Sequence, residues 1–172
     1  MTRFKKHDHR NISSRRRGMV TVIIAFVAIA VLLGVYDVYD SNSEISMTMY
    51  KTPYCVCCDQ YKLYLERNTY SVDVEIVDQS DFIMLKKKLG IPEDMWSCHT
   101  IIINDIGYVV EGHVPISSIV KMLSADSDRD IRGIALPGMP PGSPGMPGYS
   151  NKLVVYYFTE TGEYDVFDVV YD

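Results

Sequence analysis

The stretch that decides the fold is residues 45–67, which read ISMTMYK (45–51), TPY (52–54), CVCC (55–58) and DQYKLYLER (59–67). Ile45, Met47, Met49 and Lys51 alternate with Ser46, Thr48 and Tyr50, the period of a strand with one face turned inward. Thr52-Pro53-Tyr54 breaks that strand. The span from Cys57 to Arg67 then fits a helix, with Tyr61, Leu63, Tyr64 and Leu65 as its apolar stripe. Three of the chain's four cysteines therefore sit where a strand hands over to a helix.

Working outward toward the C-terminus, Asn68 ends the helix. Tyr70 to Val77 alternates again, with Val72, Val74 and Ile76 on one face and Asp73 and Glu75 on the other. Ser80 and Asp81 are candidate caps for a second helix through Phe82, Leu85 and Leu89, which stops at Gly90 before Pro92. The fourth cysteine follows in Trp96-Ser97-Cys98-His99-Thr100, just before a short apolar strand, Ile101 to Ile103. Asn104 to Gly107 turns the chain, and Tyr108 to Glu111 returns as the hairpin partner. Pro115 suits the first position of a third helix, Ile116 to Leu123. This order, strand-helix-strand-helix-strand-strand-helix, predicts an α/β fold on the thioredoxin-like plan, with a parallel first pair and an antiparallel hairpin.

Ser124 to Arg132 is polar and reads as surface loop. Residues 135–150 form a Pro/Gly/Met loop, in which Gly-Met-Pro recurs after seven residues and neither helix nor central strand fits. It lacks the strict triplet period of collagen. Residues 152–171 read as a C-terminal β-hairpin, Leu153 to Thr159 and Tyr164 to Tyr171.

Toward the N-terminus, residues 37–44 make a short polar stalk. Residues 19–36, MVTVIIAFVAIAVLLGVY, carry no charge and match the roughly 17–25 residues that cross a bilayer as a helix. Residues 1–18 are a basic tail holding seven cations against Asp8 alone. The positive-inside rule puts that tail in the cytoplasm and residues 45–172 outside it. Since no clean small-x-small cleavage site follows the apolar run, the reading is a single-pass anchor in the cell membrane, with a cleaved signal peptide as the rival. The remainder of the chain has ten basic and twenty-one acidic residues, a net of -11. Such a body repels nucleic acid, and it lacks the glycine-rich loops that cradle nucleotide phosphates. A metal transporter or a copper protein with a basic patch fits it better as a partner.

Cys55 and Cys58 have the C-x-x-C spacing at a helix N-terminus, a position that favours the thiolate. Cys57 adds ligand capacity. On the expected plan the loop bearing Cys98 and His99 faces the C-x-x-C turn. The resulting sulfur-rich site suits Cu(I) most, with Zn(II) possible. His113, at the end of the hairpin, and Met139 and Met146, thioethers in the Pro/Gly/Met loop, are further candidate ligands. Met47 and Met49 read as core, and the carboxylates read as surface groups that confer solubility.

Taken together, Tyr50-Lys51-Thr52-Pro53-x-Cys55-x-Cys57-Cys58, Ser97-Cys98-His99-Thr100, Val110-Glu111-Gly112-His113-Val114-Pro115 and Leu136-Pro137-Gly138-Met139-Pro140-x-Gly142-Ser143-Pro144-Gly145-Met146 resemble a family of small exported proteins catalogued as a domain of unknown function. Its members are described as metal-binding, some of them associated with copper or other cation resistance. The resemblance covers about residues 46–170. It implies a thioredoxin-like fold and a metal site on Cys55, Cys58, Cys98, His99, His113, Met139 and Met146. Val56 departs from the glycine usual there.

Two functions follow as expectations. One is Cu(I) binding in copper handling or resistance, with Cys55, Cys58 and Cys98 as thiolate ligands. The other is thiol-disulfide exchange, with Cys55 attacking and Cys58 or Cys98 resolving. A domain merely stapled by inert cysteines is the remaining alternative.

Overall fold

The computed structural model describes residues 22–31, 45–68, 70–125 and 130–171. The chain divides into two units, Met1–Ser43 and Glu44–Asp172. In the first, helix α1 (residues 22–31) is apolar and exposed along its length. Among the described residues no helix is long and apolar enough to cross a membrane. The basic tail, the stalk and the rest of the expected span, 19–21 and 32–36, lie outside the described residues.

The second unit is a mixed α/β domain around one seven-stranded sheet in the order β2-β1-β3-β4-β5-β6-β7. Strand β1 (Ile45–Lys51) buries Met47, Met49 and Lys51, as its alternation requires. Helix α2 (Val56–Glu66) crosses to β2 (Tyr70–Ile76), which pairs parallel to β1. The buried face of α2 is Cys58, Tyr61 and Leu65; Leu63, expected in that stripe, is exposed. Those three stand at i, i+3 and i+7, whereas Leu63 falls between two turns of that stripe. Ile76 is likewise exposed, at the last position of an edge strand.

Helix α3 (Gln79–Lys88) is capped by Asp78, not by Ser80 or Asp81. Asp78 has the extended backbone a cap needs and accepts from the Asp81 amide at 2.9 Å, while Ser80 donates its hydroxyl to the same carboxylate at 2.7 Å. A single 3-10 turn, Glu93–Met95, leads into β3 (His99–Ile103), which pairs antiparallel with both β1 and β4 (Val109–Glu111). Helix α4 (Ile116–Ser124) begins just after Pro115.

The unexpected element is β5 (Gly133–Ala135), three buried residues parallel to β4. It joins the core to β6 (Leu153–Phe158) and β7 (Tyr164–Val170), an antiparallel pair. The main apolar cluster runs continuously from Met47 and Tyr61 through Ile101 and Ile119 to Ile134 and Val155, so the C-terminal strands share one core with the rest. For the site, the decisive pairing is Lys51 opposite His99. It sets the start of β3 beside the end of β1, four residues ahead of Cys55.

Candidate metal centre

The turn after β1 is held from below. Lys51, almost fully buried, donates its Nζ proton to the Cys55 carbonyl at 3.1 Å and pairs with Asp59 in the first turn of α2. The Cys55 amide donates to the Thr52 carbonyl at 3.3 Å. Cys55 is thereby fixed as the N-cap of α2, and Cys57 and Cys58 occupy its first turn.

Cys55 and Cys58 are joined as a disulfide, with Cα atoms 5.4 Å apart. That is one of the two states the C-x-x-C spacing allows, disulfide or shared soft metal, because one helical turn brings the two sulfurs together. Cys57 and Cys98 are free and half-buried. Cys57 Sγ lies 3.5 Å from Cys55 Sγ and 3.9 Å from Cys98 Sγ, and Cys58 Sγ lies 3.7 Å from the Cys98 carbonyl. Cys57, which the sequence ranked behind Cys55 and Cys58, is thus the sulfur of that turn in contact with Cys98 Sγ.

Two histidines stand behind Cys98. His113 Nε2 is 3.2 Å from Cys98 Sγ, and its Nδ1 is 2.7 Å from the Pro144 carbonyl. A carbonyl only accepts, so Nδ1 carries the proton and Nε2 of the neutral ring presents a lone pair to Cys98. His99 Nδ1 lies 3.4 Å from the same sulfur, while its buried Nε2 has no hydrogen-bond partner among the described residues. Tyr61 packs against both rings, with centroids 4.8 Å and 5.1 Å away, and its hydroxyl donates to the Val114 carbonyl at 2.6 Å.

Met139 lines the cavity of about 540 Å³ that opens over Cys55, Cys57 and Cys98, together with Tyr54, Val56 and Phe82. Met146 is half-buried and does not line that cavity. The two methionines of the recurring Gly-Met-Pro unit are not equivalent in space.

Two overlapping groups of donors result: Cys55, Cys57, Cys58 and Cys98, and Cys98, His99 and His113, the ligand atoms in each lying within 4.8 Å of one another. Cys98 belongs to both. Cys98, His99 and His113 are each shifted toward the uncharged form. Burial first, then the neighbouring Cys57, pushes the Cys98 thiol up to about 12. Burial, then His113, holds His99 well below the ordinary imidazole range, and burial lowers His113 as well. Crowded sulfurs, neutral imidazoles and an orphaned buried ring nitrogen fit a soft cation that replaces protons on binding.

Comparison with known proteins agrees with that chemistry. A family model described as "Protein of unknown function, DUF411" matches residues 95–146. A solved structure entitled copper resistance protein copG, form 1, is 32% identical, with a TM-score of 0.66 over 76% of this chain and 100% of that one. Form 2 of the same protein is 34% identical, with a TM-score of 0.65 over 74% of this chain and 99% of that one. The chain belongs to the DUF411 family. No curated protein sequence matches it. The DUF411 match contains Cys98, His99, His113, Met139 and Met146, whereas Cys55, Cys57 and Cys58 precede it and are brought to it by the β1–β3 pairing.

Sequence reading missed what lies beneath these donors. Carboxylates were expected on surface strands, yet Glu111 is fully buried and paired with buried Lys86. One signal was available: Glu111 ends a strand whose other residues, Val109 and Val110, are apolar, the pattern of a strand covered on both faces.

Proposed function

We propose that this chain is a membrane-anchored, extracytoplasmic copper-handling protein whose α/β domain, thioredoxin-like in plan, takes up Cu(I) as cargo at the Cys98 site. The observation that carries the reading is the convergence of four cysteine sulfurs, with His113 Nε2 directly behind Cys98. Cu(I) prefers thiolate and imidazole donors, and a thioether such as Met139 at the mouth completes a soft set. Zinc also accepts thiolates and imidazoles, but the likeness to copper resistance structures favours copper. For Cys55 and Cys58 to join Cys57 and Cys98 as ligands their bond must first be reduced, because a disulfide sulfur has no thiolate to offer. The apolar run at 19–36 would hold the domain at the membrane, with the basic tail inside. A transporter or copper protein presenting a basic surface would meet the acidic domain.

The test is Cu(I) retention by the reduced full chain against a competing chelator, compared with a Cys57→Ser, Cys98→Ser double variant. The wild type should keep copper that the variant surrenders. Equal retention by both would end the copper reading.

The Cys55–Cys58 disulfide favours a second reading, thiol-disulfide exchange. The reduced Cys55 thiolate would attack a substrate disulfide and expel one substrate thiolate. Cys58 would then displace the other, leaving the Cys55–Cys58 bond for an external dithiol to reduce. Catalysed reduction of insulin by the full chain with a dithiol supports this reading; a rate no higher than the dithiol alone removes it.

A further inference from the structure

Beneath the donors lies a buried ion pair that the copper reading does not use. Glu111 is fully buried and Lys86 is 2% exposed. The carboxylate of Glu111 accepts from Lys86 Nζ, from the backbone amide of Ser97, and from Thr100 Oγ1 at 2.7 Å. Lys86 also donates to Thr100 Oγ1, at 3.0 Å. A buried ion pair is seldom more stabilising than an apolar pair of the same volume, so stability alone is a weak reason for this one.

Its connections point elsewhere. Ser97 immediately precedes Cys98, and Glu111 stands two residues before His113. One carboxylate therefore grips the segment that carries the sulfur and belongs to the segment that carries the imidazole. The backbone repeats the tie: Gly112 donates to the His99 carbonyl at 3.1 Å, and Leu136 donates to the Glu111 carbonyl at 2.9 Å. No slack remains at Gly112, which has φ +77°; a Cβ there would lie 2.6 Å from the Leu136 carbonyl oxygen and 2.6 Å from Ser97 Oγ. The Cys98–His113 separation of 3.2 Å is thus spanned by a rigid bracket whose corner is Glu111.

We propose that Glu111, steered by Lys86, is a positioning residue for the copper site: it holds the Ser97–Cys98 segment in register with His113, so that sulfur and imidazole nitrogen reach one cation. This rests on the copper reading of the site. Partners behind metal ligands typically govern affinity by about ten- to a hundredfold.

The experiment compares the full chain with two charge-free double variants, Lys86→Met/Glu111→Gln and Lys86→Met/Glu111→Leu, and with Thr100→Val, which removes a bridging hydroxyl and leaves the ion pair in place. Neither double variant strands a buried charge. Three quantities are read: melting temperature, Cu(I) affinity by chelator competition, and the thiolate-to-metal absorption of the Co(II)-loaded protein. The Gln variant, which keeps an acceptor for the Ser97 amide, should melt close to wild type and the Leu variant below it; both should lose about ten- to a hundredfold in copper affinity and show shifted Co(II) bands. Thr100→Val should lose less affinity in the same direction, and it decides the matter if both double variants fail to fold. Wild-type affinity and bands in folded variants would overturn the positioning role and leave the copper reading standing. A wild type that binds no copper would overturn both.

Discussion

His113 donates its Nδ1 proton to the carbonyl of Pro144 at 2.7 Å. That single bond attaches the Pro/Gly/Met loop to the centre of the site and dictates which nitrogen of the ring meets Cys98. On the copper reading the loop would act through its backbone, by orienting a candidate ligand, as well as through its methionines.

Gly145, next in the chain, should therefore be intolerant of a side chain. It has φ +79°, and a Cβ there would lie 2.7 Å from the Tyr61 amide nitrogen. Gly145→Val should cost about 2 kcal/mol or more in urea unfolding. It should also weaken copper binding, because the loop must lift from α2 and take the Pro144 carbonyl with it. Unchanged affinity would show that the His113 tautomer is set by something else.

The two methionines should part company. Met139 faces the cysteine cavity and Met146 does not. Met139→Leu should reduce Cu(I) affinity, whereas Met146→Leu should leave it within about twofold, a free-energy change near RT ln 2. Chelator competition on the two single variants checks this, and equal losses would contradict the geometry.

In the reduced, metal-free chain Cys98 should resist alkylation. Its folded value of about 12 lies above the roughly 8.5 of a free cysteine. Between those bounds the folded chain keeps a proton that the unfolded chain has released. The contribution of this group to stability is therefore whole below the lower bound and is lost as pH rises toward the upper one. Iodoacetamide labelling followed by peptide mapping should find Cys98 unmodified at neutral pH and increasingly modified in strong alkali, with the urea midpoint falling over the same range. Rapid labelling of Cys98 at neutral pH would refute it.

Tyr61 offers a control that separates packing from ligation. Tyr61→Phe keeps the ring against His99 and His113 but leaves the buried Val114 carbonyl without its donor. Unfolding should become easier by about 1–3 kcal/mol, with copper affinity preserved in the folded protein. A large loss of affinity at unchanged stability would give the hydroxyl a role at the metal.

Much of this is legible in the amino-acid sequence. The alternation of Ile45 to Lys51 and the break at Pro53 are local signals, and the structure uses them as read; Pro115, expected as the first helical residue, is instead the extended N-cap just ahead of α4. The approach of Cys98 to the Cys55–Cys58 turn was an expectation of the thioredoxin-like plan, and the structure brings it about by pairing β3 antiparallel to β1, so that β3 begins where β1 ends. Strand β5 was hidden: Gly133-Ile134-Ala135 is too short for alternation to register and lies just before a Pro/Gly tract. The cap at Asp78 competed with two equally suitable neighbours, and only the backbone angles distinguish them. Lys86 was one of three consecutive lysines; that it alone points inward, toward Glu111, depends on how α3 lies on the sheet.

The direction of β1 also matters to anyone handling this domain. The strand runs for seven residues, about 20 Å, from Ile45 to Lys51, and the thiols follow its far end. A resin, dye or fusion partner joined ahead of Ile45 is therefore attached at the opposite pole from the sulfurs. The reactive mouth stays open to reagents, whereas a label placed through cysteine chemistry would destroy what it was meant to report.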